Sequence, residues 1–368
     1  QANYDYVDSV FNVKSFVDYF VFNSWLVTSD WLDWNTAWWR GLDPAGDKKK
    51  WRYTLWDMDA ILGHYINYTG VPDPSPNADP CNVEGLPNPG GQGHTQVLNA
   101  LMANAGFKQY YQARYVDLMN TTLSCNFAVP LLDSMIAVIQ PEMQEQVNRW
   151  GGNYTTWQNN ANNFKTQIQA RCNAMTQGMI DCYQLTGPFA ITLDVQPAGA
   201  GIAKINSITP PSYIFNATYF GGMQTIFRAT ANAGYVFDHW EFQNHTPLPT
   251  IVSDSVSIDL AQTDNVIAVF RRPEEPQGGS EVGIPTAFSP NNDGVNDMLF
   301  VLGSVSDIDF AVYNRWGQMV FRTTDRAVGW DGTFNGQKLN PGVFAYRLSG
   351  KLPDGTQIER KGNITLVR

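Results

Sequence analysis

Apolar residues recur at helical spacing in three stretches of the first half of the chain. Phe16, Val17, Phe20 and Val21 form one stripe. Leu131, Leu132, Met135, Ile136, Ile139, Met143 and Val147 form a second, and Phe164, Ile168, Met175 and Met179 a third. Side chains three or four residues apart share one face of an α-helix, so each stripe predicts a helix with a buried side. Residues 66–97 break the pattern with Pro, Gly and Asn, which predicts a long surface loop. From residue 188 the period shortens. AITLDV, TIFRATA and NVIAVF read as strands bounded by Pro and Gly. PEEPQGGSE at 273–281 has linker composition. Beyond it, turn signals at NNDG, NRWG, WDG, FNG, NPG and PDG separate short strands, the spacing of a β-sandwich. The expected architecture is multidomain: a mainly helical domain over 1–187, a small all-β domain over 188–272, and a second all-β domain over 282–368.

Composition narrows the setting. Of 368 residues only 16% are charged, while 43% are hydrophobic, so each predicted domain can bury a core. The net charge is −10. Residues 1–187 carry 11 basic and 17 acidic side chains, 188–280 carry 4 and 8, and 281–368 carry 9 and 9, so the excess negative charge lies upstream of a neutral tail. An acidic surface repels phosphate backbones, which argues against a nucleic-acid partner. No apolar run approaches the ~20 residues that span a bilayer. The chain opens at Gln1 inside a helix-like pattern with no signal peptide, and is read as the C-terminal part of a longer protein.

The four cysteines lack zinc-site spacing and are expected to form disulfides. Helices near 127–149 and 157–183, joined at Gly151-Gly152-Asn153, should pack antiparallel. Reflection about position 153 brings Cys182 to Cys125. Cys172 and Cys182 lie about 15 Å apart on one helix at 1.5 Å per residue, too far to bridge. The expected pairs are therefore Cys125–Cys182 and Cys81–Cys172.

Two acidic motifs carry candidate chemistry. In TSDWLDWNTAWW, Asp30 and Asn35 have the five-residue spacing of a kinase catalytic base and its Mg²⁺-binding Asn. In KWRYTLWDMDAILG a strand ends at Asp57 and Asp59, where a kinase holds its other Mg²⁺ ligand. With SFVDYFVFNSWLVTSDWLDWN before them, FKQYYQARYVDLM after them and a helix ending in EMQEQVNRW, these motifs resemble the C-terminal lobe of the spore-coat protein H (CotH) kinase-like family over residues 1–184. That resemblance implies Asp30 as catalytic base, with Asn35, Asp57 and Asp59 holding Mg-ATP. Nothing before Val13 supplies the phosphate-covering loop and Lys–Glu pair of a nucleotide lobe, so this chain alone is expected to transfer no phosphate. Lys48, Lys49 and Lys50 read as a solvated hairpin end. No Gly-x-Ser-x-Gly nucleophile elbow is present.

The β regions carry two further resemblances. GYVFDHWEF followed by DNVIAVFRR resembles the divergent internalin B-repeat-like module of bacterial surface proteins, with Tyr235, Phe237 and Trp240 filling a small core or, alternatively, Trp240 and Phe242 binding carbohydrate. IPTAFSPNNDGVND, VYNRWGQMVF, GWDGTFNGQKLNPGVFAYRL and the terminal GNITLVR resemble the type B, gliding-motility-associated C-terminal sorting domain of the type IX secretion system, an Ig-like sandwich. Asp293, Asn296 and Asp297 place three oxygen side chains in one turn, suiting either a Ca²⁺ loop or Asx-turn hydrogen bonds. Trp316 and Trp330 are expected to cover the ends of the core. The resemblance implies recognition of 282–368 by the outer-membrane translocon and a shuttle barrel protein. Leu366, Val367 and Arg368 are the expected contacts through strand addition.

The combined expectation is a Bacteroidetes cell-surface or secreted protein exported through its C-terminal sandwich. A CotH-type extracytoplasmic kinase, complete at full length, is the alternative. A carbohydrate-binding adhesin is the third.

Overall fold

The computed structural model describes residues 2–32, 34–43, 46–87, 92–273 and 282–368. Its contacts divide the chain into residues 1–271 and residues 272–368.

In the first unit, Asn12 starts the central helix by accepting the Ser15 N–H on its side chain at 3.0 Å. The chain runs α1 (Ala2–Val10), α2 (Val13–Leu26), a hairpin of β1 (Thr36–Trp39) and β2 (Arg52–Leu55), then α3 (His94–Met102), α4 (Ala105–Met119), α5 (Cys125–Ile139), α6 (Met143–Trp150) and α7 (Tyr154–Tyr183). The Phe16–Phe20 stripe faces inward, packing against Phe107, Tyr53 and Trp31. The 131–147 stripe does not: α5 and α6 contain no buried residue, and Leu131 and Met135 are exposed.

Two sheets complete this unit. β5 (Phe215–Gly221), β3 (Thr186–Gln196), β9 (Asp264–Arg271) and β7 (Val236–Phe242) lie side by side in that order, with β3 and β9 parallel. β4 (Gly201–Ile205), β6 (Gln224–Ala231) and β8 (Ser255–Asp259) form the second sheet. Alternation is clean in β4, where Gly201, Ala203 and Ile205 are buried and Ile202 and Lys204 exposed. Trp240 is 1% exposed and donates from Nε1 to the Ser253 carbonyl at 3.0 Å, so it is a core residue and offers no face to a sugar.

The expected separate spacer over 188–272 is not what the structure shows. One hydrophobic cluster runs from Val13 to Phe270 through both the helices and the sheets. Side-chain amides on α4 bind strand backbone: Asn120 exchanges hydrogen bonds with Thr218 at 2.8 and 2.7 Å, and Gln109 with Gln224 at 2.6 and 3.1 Å. Each amide imitates a neighbouring strand: Thr218 is on the edge strand β5, and Gln224 on β6 lies beyond the reach of β4. Between them Asp117, with no exposed surface, accepts from Ser207 N at 2.8 Å, Ser207 Oγ, Tyr219 Oη at 2.8 Å and Asn206 Nδ2 at 3.4 Å. Burial pushes the Asp117 carboxyl up to about 6, against the pull of those donors.

The disulfides also differ from expectation. Cys81 pairs with Cys182 and Cys125 with Cys172, with Cα atoms 5.7 and 5.8 Å apart. The antiparallel hairpin of α5, α6 and α7 is present, but its arms are unequal. A 3₁₀ turn at Gln140–Glu142, carrying Pro141, bends the first arm and shortens its reach. Cys125 therefore meets α7 ten residues earlier than a straight arm would bring it.

In the second unit, β10 (Ala287–Phe288), β11 (Ser306–Tyr313), β12 (Met319–Thr323), β15 (Gly342–Lys351) and β16 (Gln357–Leu366) make one sheet ordered β10-β16-β15-β11-β12, while β13 (Thr333–Phe334) and β14 (Gln337–Lys338) form a small hairpin. Two isolated bridges tie further segments of this unit together, Gly283 with Leu302 and Leu299 with Trp330. Trp330 is 1% exposed and packs on Phe288 and Phe344. Trp316 was expected to do the same but is 80% exposed, its ring lying under the Arg315 guanidinium at 4.9 Å. Most of the linker, 274–281, lies outside the described residues.

Candidate functional site

The segment after α2 is held from both sides. Val27 ends the helix in the left-handed region, with its N–H on Asn23 and Ser24 carbonyls. Leu62 N donates to Leu26 O at 2.9 Å, Ser29 N to Ala60 O at 2.9 Å, and Thr69 N to Ser29 O at 2.9 Å. The Thr69 hydroxyl then bridges both the N–H and the carbonyl of Trp31. Buried Trp31 and Leu32 anchor the turn. With this backbone fixed, the next side chains have little freedom.

Asn35, itself left-handed, folds back so that Nδ2 donates to the Asp30 carbonyl at 3.1 Å and to Asp30 Oδ2 at 3.0 Å. The pair is half-buried. The hairpin register brings the second motif alongside. Thr36 lies opposite Leu55, so Asn35 and the Trp56-Asp57 step sit at the same end of the β1–β2 ladder. Asp57 is exposed and left-handed, and Asp59 is exposed. Among the described residues no three acidic, His or Cys side chains gather at metal-binding distance.

Trp34, Trp56 and Tyr65 are each more than half exposed around this end of the hairpin, and Tyr68 stacks edge-on to Trp34. Behind it sits His94, a residue whose role the sequence did not reveal. It is buried, with Nδ1 3.0 Å from Tyr53 Oη and Nε2 3.0 Å from Gln92 Oε1. Burial lowers the His94 pKa, and burial pushes the Tyr53 phenol up to about 12. Both groups stay neutral near pH 7 and hold β2 against α3. Lys48 and Lys50 are engaged by Asp43 at 2.7 Å and Asp8 at 3.4 Å, and His64 is exposed.

In the second unit, the 291–297 turn closes on itself. Asp297 accepts Asn292 N at 2.6 Å and Gly294 N at 2.8 Å, and Asp293 accepts Val295 N at 2.8 Å. The Asn291 amide and the Val295 N–H hold the Asp293 carboxyl below its usual range. These are Asx-turn bonds, with the carboxylate oxygens already serving backbone donors. Asn296 supplies the positive φ, 56°, that the turn requires there.

Comparison with known families places these features. Residues 1–175 match the family described as CotH kinase protein, and residues 282–366 match the CHU_C type IX secretion signal domain. The chain carries a CotH domain and a type IX secretion signal domain. The signal domain implies export to the cell surface or beyond. No helix among the described residues is long and apolar enough to cross a membrane. Among solved structures, PorZ of Porphyromonas gingivalis, described as an essential bacterial surface component of that system, is 12% identical at TM-score 0.19, covering 31% of this chain and 14% of its own. Dimeric latent PorU from the same organism is 14% identical at TM-score 0.16, covering 50% and 20%. BcpA, the major pilin subunit of Bacillus cereus, is 8% identical at TM-score 0.13, covering 49% and 68%. The chain spans less than a quarter of the length of PorZ and PorU. No curated protein matches.

The terminus of the signal domain departs from expectation. Leu366 is 1% exposed, and the parallel partner β10 covers this end: Thr365 N donates to Thr286 O at 2.8 Å and Val367 N to Phe288 O at 3.0 Å. Arg368 reaches the Gly332 carbonyl at 3.2 Å. Leu366, Val367 and Arg368 are therefore already engaged within the domain. The unpaired edge of β16 lies earlier, over 357–364, where β15 covers one side and no described strand covers the other.

Proposed function

We propose that the signal domain is an Ig-like sandwich read by the type IX outer-membrane translocon and its shuttle barrel protein, and that the protein is displayed on, or released from, a Bacteroidetes cell. The observation supporting this reading is the open stretch of β16. A translocon that accepts unrelated cargoes must recognise what they share, and backbone addition to an edge strand needs little sequence specificity. The test is a fusion of residues 277–368 to a foreign periplasmic reporter in a type IX-competent host. Surface exposure of the reporter supports the proposal; retention in the periplasm refutes it.

A second reading rests on the Asn35–Asp30 pair. As a kinase-like C-lobe, the CotH domain would place Asp30 to accept the proton of an attacking hydroxyl, with its carboxylate held by the Asn35 amide. Asn35 Oδ1, Asp57 and Asp59 are the residues that would hold Mg²⁺ on ATP, and the ion would supply charge neutralisation at the transferring phosphate. The exposed Trp34, Trp56 and Tyr65 fit a surface covered by a nucleotide lobe. The test is phosphate transfer by the full-length protein with Mg-ATP, lost in Asp30→Asn and Asp57→Ala. The adhesin reading loses its principal residue, because Trp240 is buried.

A further inference from the structure

A cleft of about 600 Å³ lies where α2 and α4 face β4 and β6. Four cationic side chains line it, Lys14, Arg114, Lys204 and Arg228, against two carboxylates, Asp18 and Asp117. Neither carboxylate is available to the other cations. Asp18 is gripped in bidentate fashion by Arg114, Oδ1 at 2.6 Å from Nε and Oδ2 at 3.1 Å from the terminal nitrogen. Asp117 already accepts from Ser207, Tyr219 and Asn206. Lys14 and Lys204 have no hydrogen-bond or ion-pair partner among the described residues. Arg228 has a single long contact, 3.5 Å, to the Asn206 carbonyl. In a chain of net charge −10, this is a local surplus of positive charge.

The placement of two of these cations is costly. Lys204 and Arg228 are directly opposite each other across the β4–β6 ladder, and both are exposed on its outer face. Like charges at such a position repel and weaken the pairing. A counter-anion held between them would turn the repulsion into attraction. The cleft has the volume of a small-molecule site, and Tyr110 and Ile226 give it an apolar wall beside the cations.

We infer that this cleft binds a phosphate monoester dianion through Lys14, Lys204 and Arg228. Free phosphate, a sugar phosphate and the headgroup of phosphatidic acid share that chemistry, and the wall of Tyr110 and Ile226 favours the sugar phosphate. The site is distinct from the Asp30–Asn35 pair and does not depend on phosphotransfer.

The experiment is isothermal titration of the purified 1–368 chain with inorganic phosphate, glucose 1-phosphate, glucose, and phosphatidic acid vesicles. EDTA is present, so that no metal can recruit phosphate to the acidic motif. Binding of glucose 1-phosphate or phosphate, with none of glucose, is expected. Arg228→Glu should lower that affinity about tenfold or more. The same variant should melt no lower than wild type without ligand, because it puts opposite charges across the ladder; a purely structural arginine would give a lower melting temperature. Lys14→Ala, on a different element, should also weaken binding. The inference is overturned if neither phosphate compound binds, if vesicles alone bind, or if both variants bind like wild type.

Discussion

Arg171 Nε donates to the Trp25 carbonyl at 2.7 Å, joining the long helix α7 to the end of α2 across 146 residues of sequence. The same guanidinium reaches Ser24 O at 3.0 Å, Pro76 O at 3.1 Å and Ala78 O. It has no exposed surface, and burial lowers its pKa from the ordinary arginine value. Two of its partners, the Ser24 and Trp25 carbonyls, lie at the C-terminus of α2, where the backbone dipole favours a cation. It thereby holds the base of the segment that positions Asp30. Arg171→Met should cost about 3–5 kcal/mol in urea denaturation, since four carbonyls would lose their donor inside the core. Arg171→Lys should recover little, because one ammonium cannot span those directions. Near-wild-type stability in both variants would remove Arg171 from this role.

Phosphotransfer gives a second expectation. The 1–368 chain should show no ATP turnover, because Asp57 and Asp59 are exposed and, among the described residues, no three acidic, His or Cys side chains gather where they could hold a metal on ATP. Radiolabelled Mg-ATP with the purified chain checks this. Turnover that Asp57→Ala abolishes would show that these residues suffice.

Asp117 predicts a pH dependence. Its folded pKa is raised to about 6, against about 3.9 for an unperturbed Asp. Between about pH 4 and 6 the folded state keeps a proton that the unfolded state releases. This group therefore favours folding as pH falls through that window, and the contribution is lost as pH rises through 6. Two pKa units correspond to roughly 3 kcal/mol. Asp117→Asn removes the titration. Relative to that variant, wild type should gain about 2–3 kcal/mol between pH 7 and pH 4 in urea unfolding. A flat or opposite difference would mean that the Ser207 and Tyr219 donors outweigh burial.

Several of these features were legible in the sequence, for physical reasons. The Phe16–Phe20 stripe is local and periodic, so a helix with one buried face follows from it. Asp30 and Asn35 are five residues apart, and their hydrogen bond needs only one turn. Long-range partners were harder to see. Asp117 sits in YVDLM with nothing nearby to announce that Ser207 and Tyr219 would satisfy it. The 131–147 stripe has the helical period, yet its helices are left largely exposed, because periodicity says which side chains share a face and not what covers it. Trp316 and Trp330 occupy similar turns, NRWG and GWDG. Trp330 is buried because its backbone bridges Leu299, a contact the turn sequence does not encode.

The disulfides should map, without reduction, as Cys81–Cys182 and Cys125–Cys172. The sequence separations are 101 and 47 residues. Closing loops of that size in the unfolded chain is worth about 4–5 kcal/mol each in the chain-entropy description, less when one loop nests inside the other. Cys81→Ser/Cys182→Ser should therefore destabilise the chain by several kcal/mol. A Cys125–Cys182 peptide in the digest would refute the bent first arm of the hairpin.

The last prediction concerns the open edge of β16. The strand has alternating N–H directions, and Thr365 N and Val367 N point toward β10. By the two-residue period, the N–H groups of Gln357, Glu359, Lys361 and Asn363 point the same way, away from β15. Those of Ile358, Arg360 and Gly362 point into the β15 ladder. A proline at 361 removes an outward donor and leaves the ladder intact, which edge strands tolerate. A proline at 360 breaks the ladder. Lys361→Pro in the 277–368 fusion should therefore keep the tail folded, by circular dichroism and melting, while reporter display falls. Arg360→Pro should lose both fold and display. The salt bridge from Lys361 to Glu359, 3.1 Å and exposed, contributes little to either outcome. Lys361→Ala separates charge from backbone: it keeps the N–H and should be displayed normally. Full display of a folded Lys361→Pro tail would show that the translocon does not add a strand along this edge.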